Sequence, residues 1–191
     1  MREDARLAGA LAADLSGNFE RAVLTFQDRL YAFALRLTGC PADAEEITQD
    51  AFVRAYRALA RYPPQRRRSL ALRPWLYRIT LNVTRNHVRR RRLVTVPLDG
   101  GPGELAADAA SRPAAVLERS ERARRLARLI EGLPERYRAA VILRHVEGLG
   151  YDEIAAALSQ PIGTAKANVH RGLTLLRRGL EHDGTTRGRR E

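Results

Sequence analysis

The sequence predicts an all-α protein of two small helical domains joined by a flexible linker, the C-terminal one containing a helix-turn-helix. Three observations lead there. Apolar residues recur at three- and four-residue spacing along most of the chain, as one face of a helix requires. That pattern vanishes between Val94 and Pro113, in a stretch rich in Gly, Pro, Ala and Asp. Finally, the segment 147–178, EGLGYDEIAAALSQPIGTAKANVHRGLTLLRR, carries two such faces around one tight break. A chain of 191 residues is long enough to bury a real core, and two small domains suit that length.

Residues 1–17 mix Arg2, Glu3, Asp4 and Arg6 with short apolar pieces, unlike a secretory signal, and read as an N-terminal extension. A first helix is expected over 19–37, with Phe19, Val23, Phe26, Leu30, Phe33, Ala34 and Leu37 on one face and Gly39, Cys40 and Pro41 as its stop. The next spans 42–61, turning Ala44, Ile47, Ala51, Ala55 and Leu59 inward. Asp43, Glu45, Glu46, Gln49 and Asp50 crowd its first half. Acidic residues there suit the helix dipole, and their excess beyond that need marks a docking face for a basic partner.

Pro63 and Pro64 end this helix, and a loop over 62–72 carries Arg66, Arg67 and Arg68. Pro74 fits the first turn of a third helix reaching about Arg92. Its apolar line is Leu72, Leu76, Ile79 and Val83, and an adjoining strip holds Trp75, Arg78, Asn82, Arg85, Asn86 and Arg89. Such a strip suits exposed bases: an indole stacks, amides read edges and arginines hold the backbone. A core tryptophan is the competing reading of Trp75.

After the linker, a helix over 114–132 presents Leu117, Leu126, Leu129 and Ile130. Another starts at Pro134 and Glu135 and runs on Tyr137, Val141, Ile142, His145 and Val146. In the helix-turn-helix, Tyr151, Ile154, Ala155 and Leu158 form the first face. Ser159, Gln160 and Pro161 break it, and Ile162, Ala165, Val169, Leu173, Leu176 and Leu180 form the second. The outward side of that second helix bears Thr164, Lys166, Ala167, Asn168, His170 and Arg171, side chains able to reach base edges and phosphates in a major groove. The tail 183–191 is expected to be disordered.

Charge narrows the partner. The net charge of +12 calls for a polyanion, with nucleic acid ahead of an anionic membrane surface. Between Asp50 and Arg92 there are thirteen arginines against one acid, an excess equal to that of the whole chain. No run of some twenty apolar residues exists to cross a bilayer, so a cytoplasmic protein is expected. Cys40 is alone, which excludes an internal disulfide, and no Cys or His spacing indicates a metal site.

These stretches, in this order, resemble the extracytoplasmic-function (ECF) sigma factors of bacterial RNA polymerase, within the sigma-70 family. The resemblance covers roughly 18–181. DAEEITQDAFVRAY, 43–56, is similar to the family's region that docks on the clamp helices of the largest polymerase subunit, which implies Asp43, Glu46, Gln49 and Asp50 as core-binding residues. WLYRITLNVTRNHVRRRR, 75–92, is similar to the part that opens the minus-ten element and holds its non-template strand. That implies Trp75, Arg78, Asn82, Arg85, Asn86, Arg89 and Arg90 as DNA-binding, with Arg66, Arg67 and Arg68 in the loop where the family captures a flipped base.

LPERYRAAVILRHVEGLGYDEIAAAL followed by PIGTAKANVHRGLTLLRRGL resembles the region that reads the minus-thirty-five element and leans on the flap of the second-largest subunit. Thr164, Lys166, Ala167, Asn168, His170 and Arg171 are its implied DNA contacts. Here Gly163-Thr164-Ala165-Lys166-Ala167 replaces the commoner Gly-Thr-Val-Lys-Ser, which leaves the selected bases open. The implied divisions are 1–17 extension, 18–93 region 2, 94–115 acidic linker, 116–182 region 4 and 183–191 tail. The linker acids Asp99, Glu104 and Asp108 would pass near the polymerase active site.

The resemblance implies no catalytic residue, metal, cofactor or small-molecule substrate, and an anti-sigma factor as a further partner. Two rivals stand beside it. One is a stand-alone helix-turn-helix regulator, which leaves the arginine-rich helix unexplained. The other is a nuclease holding a metal on Asp43, Glu46 and Asp50, which lie within one helix in a cap-like cluster and are expected to have no His partner nearby.

Overall fold

The computed structural model describes residues 2–94 and 114–187, with side chains described for 3–91 and 123–182. Every regular element among them is helical. The linker stretch 95–113, with Asp99, Glu104 and Asp108, lies outside the described residues, as does 188–191.

The N-terminal half contains five helices: α1 (Arg2–Ala13), α2 (Leu15–Thr38), α3 (Pro41–Arg61), α4 (Pro64–Arg68) and α5 (Leu72–Val94). Local chemistry sets their ends. The Asp14 carboxylate accepts from Gly17 N–H at 3.0 Å and caps α2. Gly39, at φ 69°, closes it by donating to the Leu35 carbonyl at 2.8 Å. Pro41 then opens α3 where no amide hydrogen is needed. Packing of α2, α3 and α5 buries Phe26, Leu30, Phe33, Ile47, Leu76 and Leu81.

Two features differ from the sequence-based expectation. The N-terminal extension contains a helix the sequence pattern does not announce, α1, which buries Leu7, Ala8, Leu11 and Ala12 against α2, α4 and α5. The arginine loop contains a single helical turn, α4.

The C-terminal half contains α6 (Ala114–Glu131), α7 (Glu135–Val141), a π-helical turn (Ile142–Val146), α8 (Tyr151–Leu158) and α9 (Ile162–Arg187). Glu153 returns a carboxylate oxygen to Gly150 N–H at 2.8 Å, the half of a capping box that a glycine cap still permits. Ser159, at φ 52°, ends α8 in the left-handed region and turns the chain through Gln160 and Pro161 into α9. The helix-turn-helix therefore consists of α8 and α9. The latter continues to Arg187, past the point where the apolar pattern ends and into the expected disordered tail. Its inner face is narrower than the pattern predicts: Ala165, Val169 and Leu176 are buried, while Ile162, Leu173 and Leu180 stay exposed.

Gly172 explains how α7 and α9 come so close. A Cβ there would meet Val141 Cγ2 at 2.5 Å and Tyr137 Cβ at 3.3 Å. No side chain fits between the two helices.

The halves also pack on each other. One cluster of buried residues runs from Phe33, Leu76 and Tyr77 into Ile142, Leu143, Leu149 and Ile154, with α8 lying against α5. Polar ties flank it. Tyr77 Oη donates to a Glu147 carboxylate oxygen at 2.5 Å, and Arg73 donates to the Glu147 carbonyl. Arg138 Nη1 donates to the Leu37 carbonyl at the end of α2 at 2.9 Å, and Arg85 Nε pairs with Glu135 at 2.6 Å.

Candidate polymerase and nucleic-acid interfaces

Three surfaces carry the residues singled out from the sequence. On α3, Glu46 and Gln49 are exposed and Asp50 is half-buried, paired with Arg54 one turn on at 2.9 Å. Val53, 46% exposed, extends the same face by one more turn. An apolar side chain in that position is a contact group that the acidic pattern hides. Asp43 differs. It sits 3.2 Å from His87 Nε2 and also pairs with Arg91, and His87 Nδ1 lies 3.7 Å from Glu46. Its carboxylate thus ties the start of α3 to the end of α5. Of the three acids of the nuclease rival, Asp43 and Glu46 do meet a histidine, His87, which reaches them from α5 and which sequence spacing does not show, whereas Asp50 turns away to Arg54.

On α5, Asn82, Arg85, Arg89 and Arg90 are exposed, and Arg78 and Asn86 are half-buried on the adjoining face. Asn86 accepts from Arg89 Nη2 at 3.4 Å. Trp75 is only 6% exposed, with its ring centroid 6.2 Å from that of Tyr62, so it lies under the strip and not on it. The indole is too large and apolar to remain outside a helix packed on both sides. Arg66 places its guanidinium 3.9 Å from the Tyr62 ring centroid, so Tyr62 touches both Arg66 and the tilted Trp75 ring. Arg68 is exposed, whereas Arg67 turns back and donates to the Leu11 carbonyl of α1 at 2.9 Å.

On α9, Thr164, Lys166, His170 and Arg171 are exposed and Ala167 is half-buried. Asn168 is placed differently from the expectation. It is 7% exposed and donates through Nδ2 to Gln160 Oε1 at 3.1 Å, bracing the turn. One step of a helix separates a groove-facing position from a wall-facing one, and Asn168 falls on the wall side.

Sequence reasoning missed the residues that join the halves. Tyr77, Arg138 and Glu147 fall within the quoted stretches, but nothing in the sequence gives them a role between the halves. Burial, followed by the bond to Glu147, pushes the Tyr77 hydroxyl well above its ordinary range, which keeps it a donor.

Comparison with known proteins agrees with this architecture. Sigma-70 region 2 matches residues 22–94, and Sigma-70, region 4 matches 123–176. The ECF RNA polymerase sigma factor SigW of Bacillus subtilis is 31% identical over 163 residues, covering 81% of this chain and 84% of that protein. The chain belongs to the ECF sigma factors.

The ECF RNA polymerase sigma factor SigE of Mycolicibacterium smegmatis is 35% identical over 165 residues, which is 84% of this chain and 60% of that protein's length. The ECF sigma-E factor of Escherichia coli K12 is 32% identical, covering 80% of this sigma factor and 81% of its relative. Among solved structures, CnrH in complex with the cytosolic domain of CnrY matches with a TM-score of 0.67 at 25% identity, covering 94% of this chain and 98% of CnrH. As a sigma factor, this protein directs transcription initiation.

Proposed function

We propose that this sigma factor docks on core RNA polymerase through Glu46, Gln49, Asp50 and Val53 of α3 and presents α5 and α9 to one promoter. The observation that carries the reading is the strip of Arg78, Asn82, Arg85, Asn86, Arg89 and Arg90 along α5, a guanidinium and amide surface of single-strand type on a helix adjoining the docking face. Arginine contacts to phosphate supply a salt-sensitive, sequence-blind share of binding. Each captured base adds about 1–3 kcal/mol. With its indole covered, Trp75 serves by seating Tyr62 and, through it, Arg66. Thr164, Lys166, His170 and Arg171 read or grip the minus-thirty-five duplex. The protein does no covalent chemistry and works in the cytoplasm, where promoter DNA is.

The packing of α8 on α5 bears on how this works. The two promoter elements lie about two turns of duplex apart, roughly 70 Å. A chain whose two DNA-reading halves share a core cannot span them. Docking on polymerase, on the clamp helices by α3 and on the flap of the second-largest subunit by the C-terminal half, therefore separates the halves, and the free protein binds promoter duplex weakly. An anti-sigma factor is the proposed negative partner, since the sigma factor RpoE of Bartonella quintana, a structural neighbour, was solved with the anti-sigma factor NepR. A stand-alone regulator would use α9 alone and leave the α5 strip without a task.

Run-off transcription with purified core polymerase tests the reading. Adding this chain is expected to yield promoter-specific transcripts from a library of genomic fragments. No new transcript together with no complex with core would reject it.

A further inference from the structure

We infer that α1 is the positioning element of the α4 turn, and that Arg67 positions this turn without touching DNA. The inference rests on the reading of α4 as the place where a minus-ten base is captured. A five-residue helix is too short to hold itself, and α4 has no buried residue of its own. Its place is fixed from outside. On one side stand Trp75, Tyr62 and Arg66. On the other stands α1, which packs along α4 and is itself anchored by Leu7 and Leu11, each nearly inaccessible.

Arg67 joins these parts. Its Nη1 donates to the Leu11 carbonyl, one of the last carbonyls of α1, which have no partner within the helix. A cation also suits that end of the helix dipole. The Arg67 Nε is buried without a hydrogen-bond partner and the residue is half-buried, unlike its exposed neighbours Arg66 and Arg68. The three consecutive arginines thus divide: Arg66 and Arg68 face outward toward a nucleic acid, and Arg67 faces inward to α1. The region 2 match starts at residue 22, so α1 lies before the matched segment.

The test is holoenzyme binding to promoter fragments carrying each single base change in the minus-ten element, measured over a range of salt, for Arg67→Met, Arg67→Lys, Arg68→Met and Leu11→Ala. Arg67→Met, Arg67→Lys and Leu11→Ala are expected to flatten discrimination at one base position by about tenfold, the scale of one base-edge contact, with the salt slope unchanged. Arg68→Met should weaken all sequences alike and lower the salt slope by about one. Rescue by Arg67→Lys together with a uniform, slope-changing loss in Arg67→Met would overturn the inference, because a direct phosphate contact behaves that way. Should Leu11→Ala fail to fold, the two Arg67 variants still decide. If Arg67 and Arg68 variants all match the parent while complexes with core form normally, the placement of α4 on DNA is what fails.

Discussion

At Gly172 and Asn168 a single side chain decides how α9 sits. Replacing Gly172 with alanine adds helix propensity of about 1 kcal/mol. It also drives a methyl group into Val141 Cγ2 and tightly against Tyr137 Cβ, a strain of about 1–3 kcal/mol. Gly172→Ala is therefore expected to lower the unfolding midpoint in urea, and a raised midpoint would refute the close-packing account. From sequence, Gly172 registers only as a cost to the helix, since the wall it faces comes from α7, some thirty residues earlier. Asn168→Ala should lose about 1 kcal/mol of stability with its bond to Gln160 and leave base preference at the minus-thirty-five element unchanged. Lys166→Ala, at an exposed position, should do the reverse in a binding assay on duplex.

The elements differ in how far the sequence discloses them. Long periodic helices such as α2, α3 and α5 are legible because each carries five or more inward apolar residues over several turns. The helix α1 is not, as its inward face is two leucines and two alanines among charges, and only its packing against α2, α4 and α5 gives that face something to bury against. The acidic half of α3 is legible as a cluster, but not in its division of labour. Gln49→Ala combined with Asp50→Ala should abolish complex formation with core polymerase while the circular dichroism melt stays close to that of the parent. Asp43→Asn should instead shift the melt, because it weakens the mostly buried tie to His87 and the outer one to Arg91, and should affect core binding less.

For the molecule as a whole, the contact between halves is what sequence reasoning could not reach. Tyr77 and Glu147 stand seventy positions apart, and no local pattern links them. Tyr77→Phe and Glu147→Ala each remove that bond and should raise the radius of gyration of the free protein in small-angle scattering. An unchanged radius would mean that the apolar contact of α5 with α8 alone holds the halves closed. Because the Tyr77 pKa is raised in the folded state, its contribution is complete below about pH 10 and is lost above it, as the unfolded phenol ionises while the buried one resists. Closure by this bond should therefore be insensitive to pH between 6 and 9.

The order of the chain turns this contact into a matter of time. All of α1 to α5 is made before Leu149 and α8, and the intervening residues take the ribosome about 3–10 s at about 5–20 residues per second. During that interval a nascent N-terminal half has its α5 surface uncovered. Each newly made molecule passes once through a form with this α5 surface uncovered before its own C-terminal half arrives to cover it.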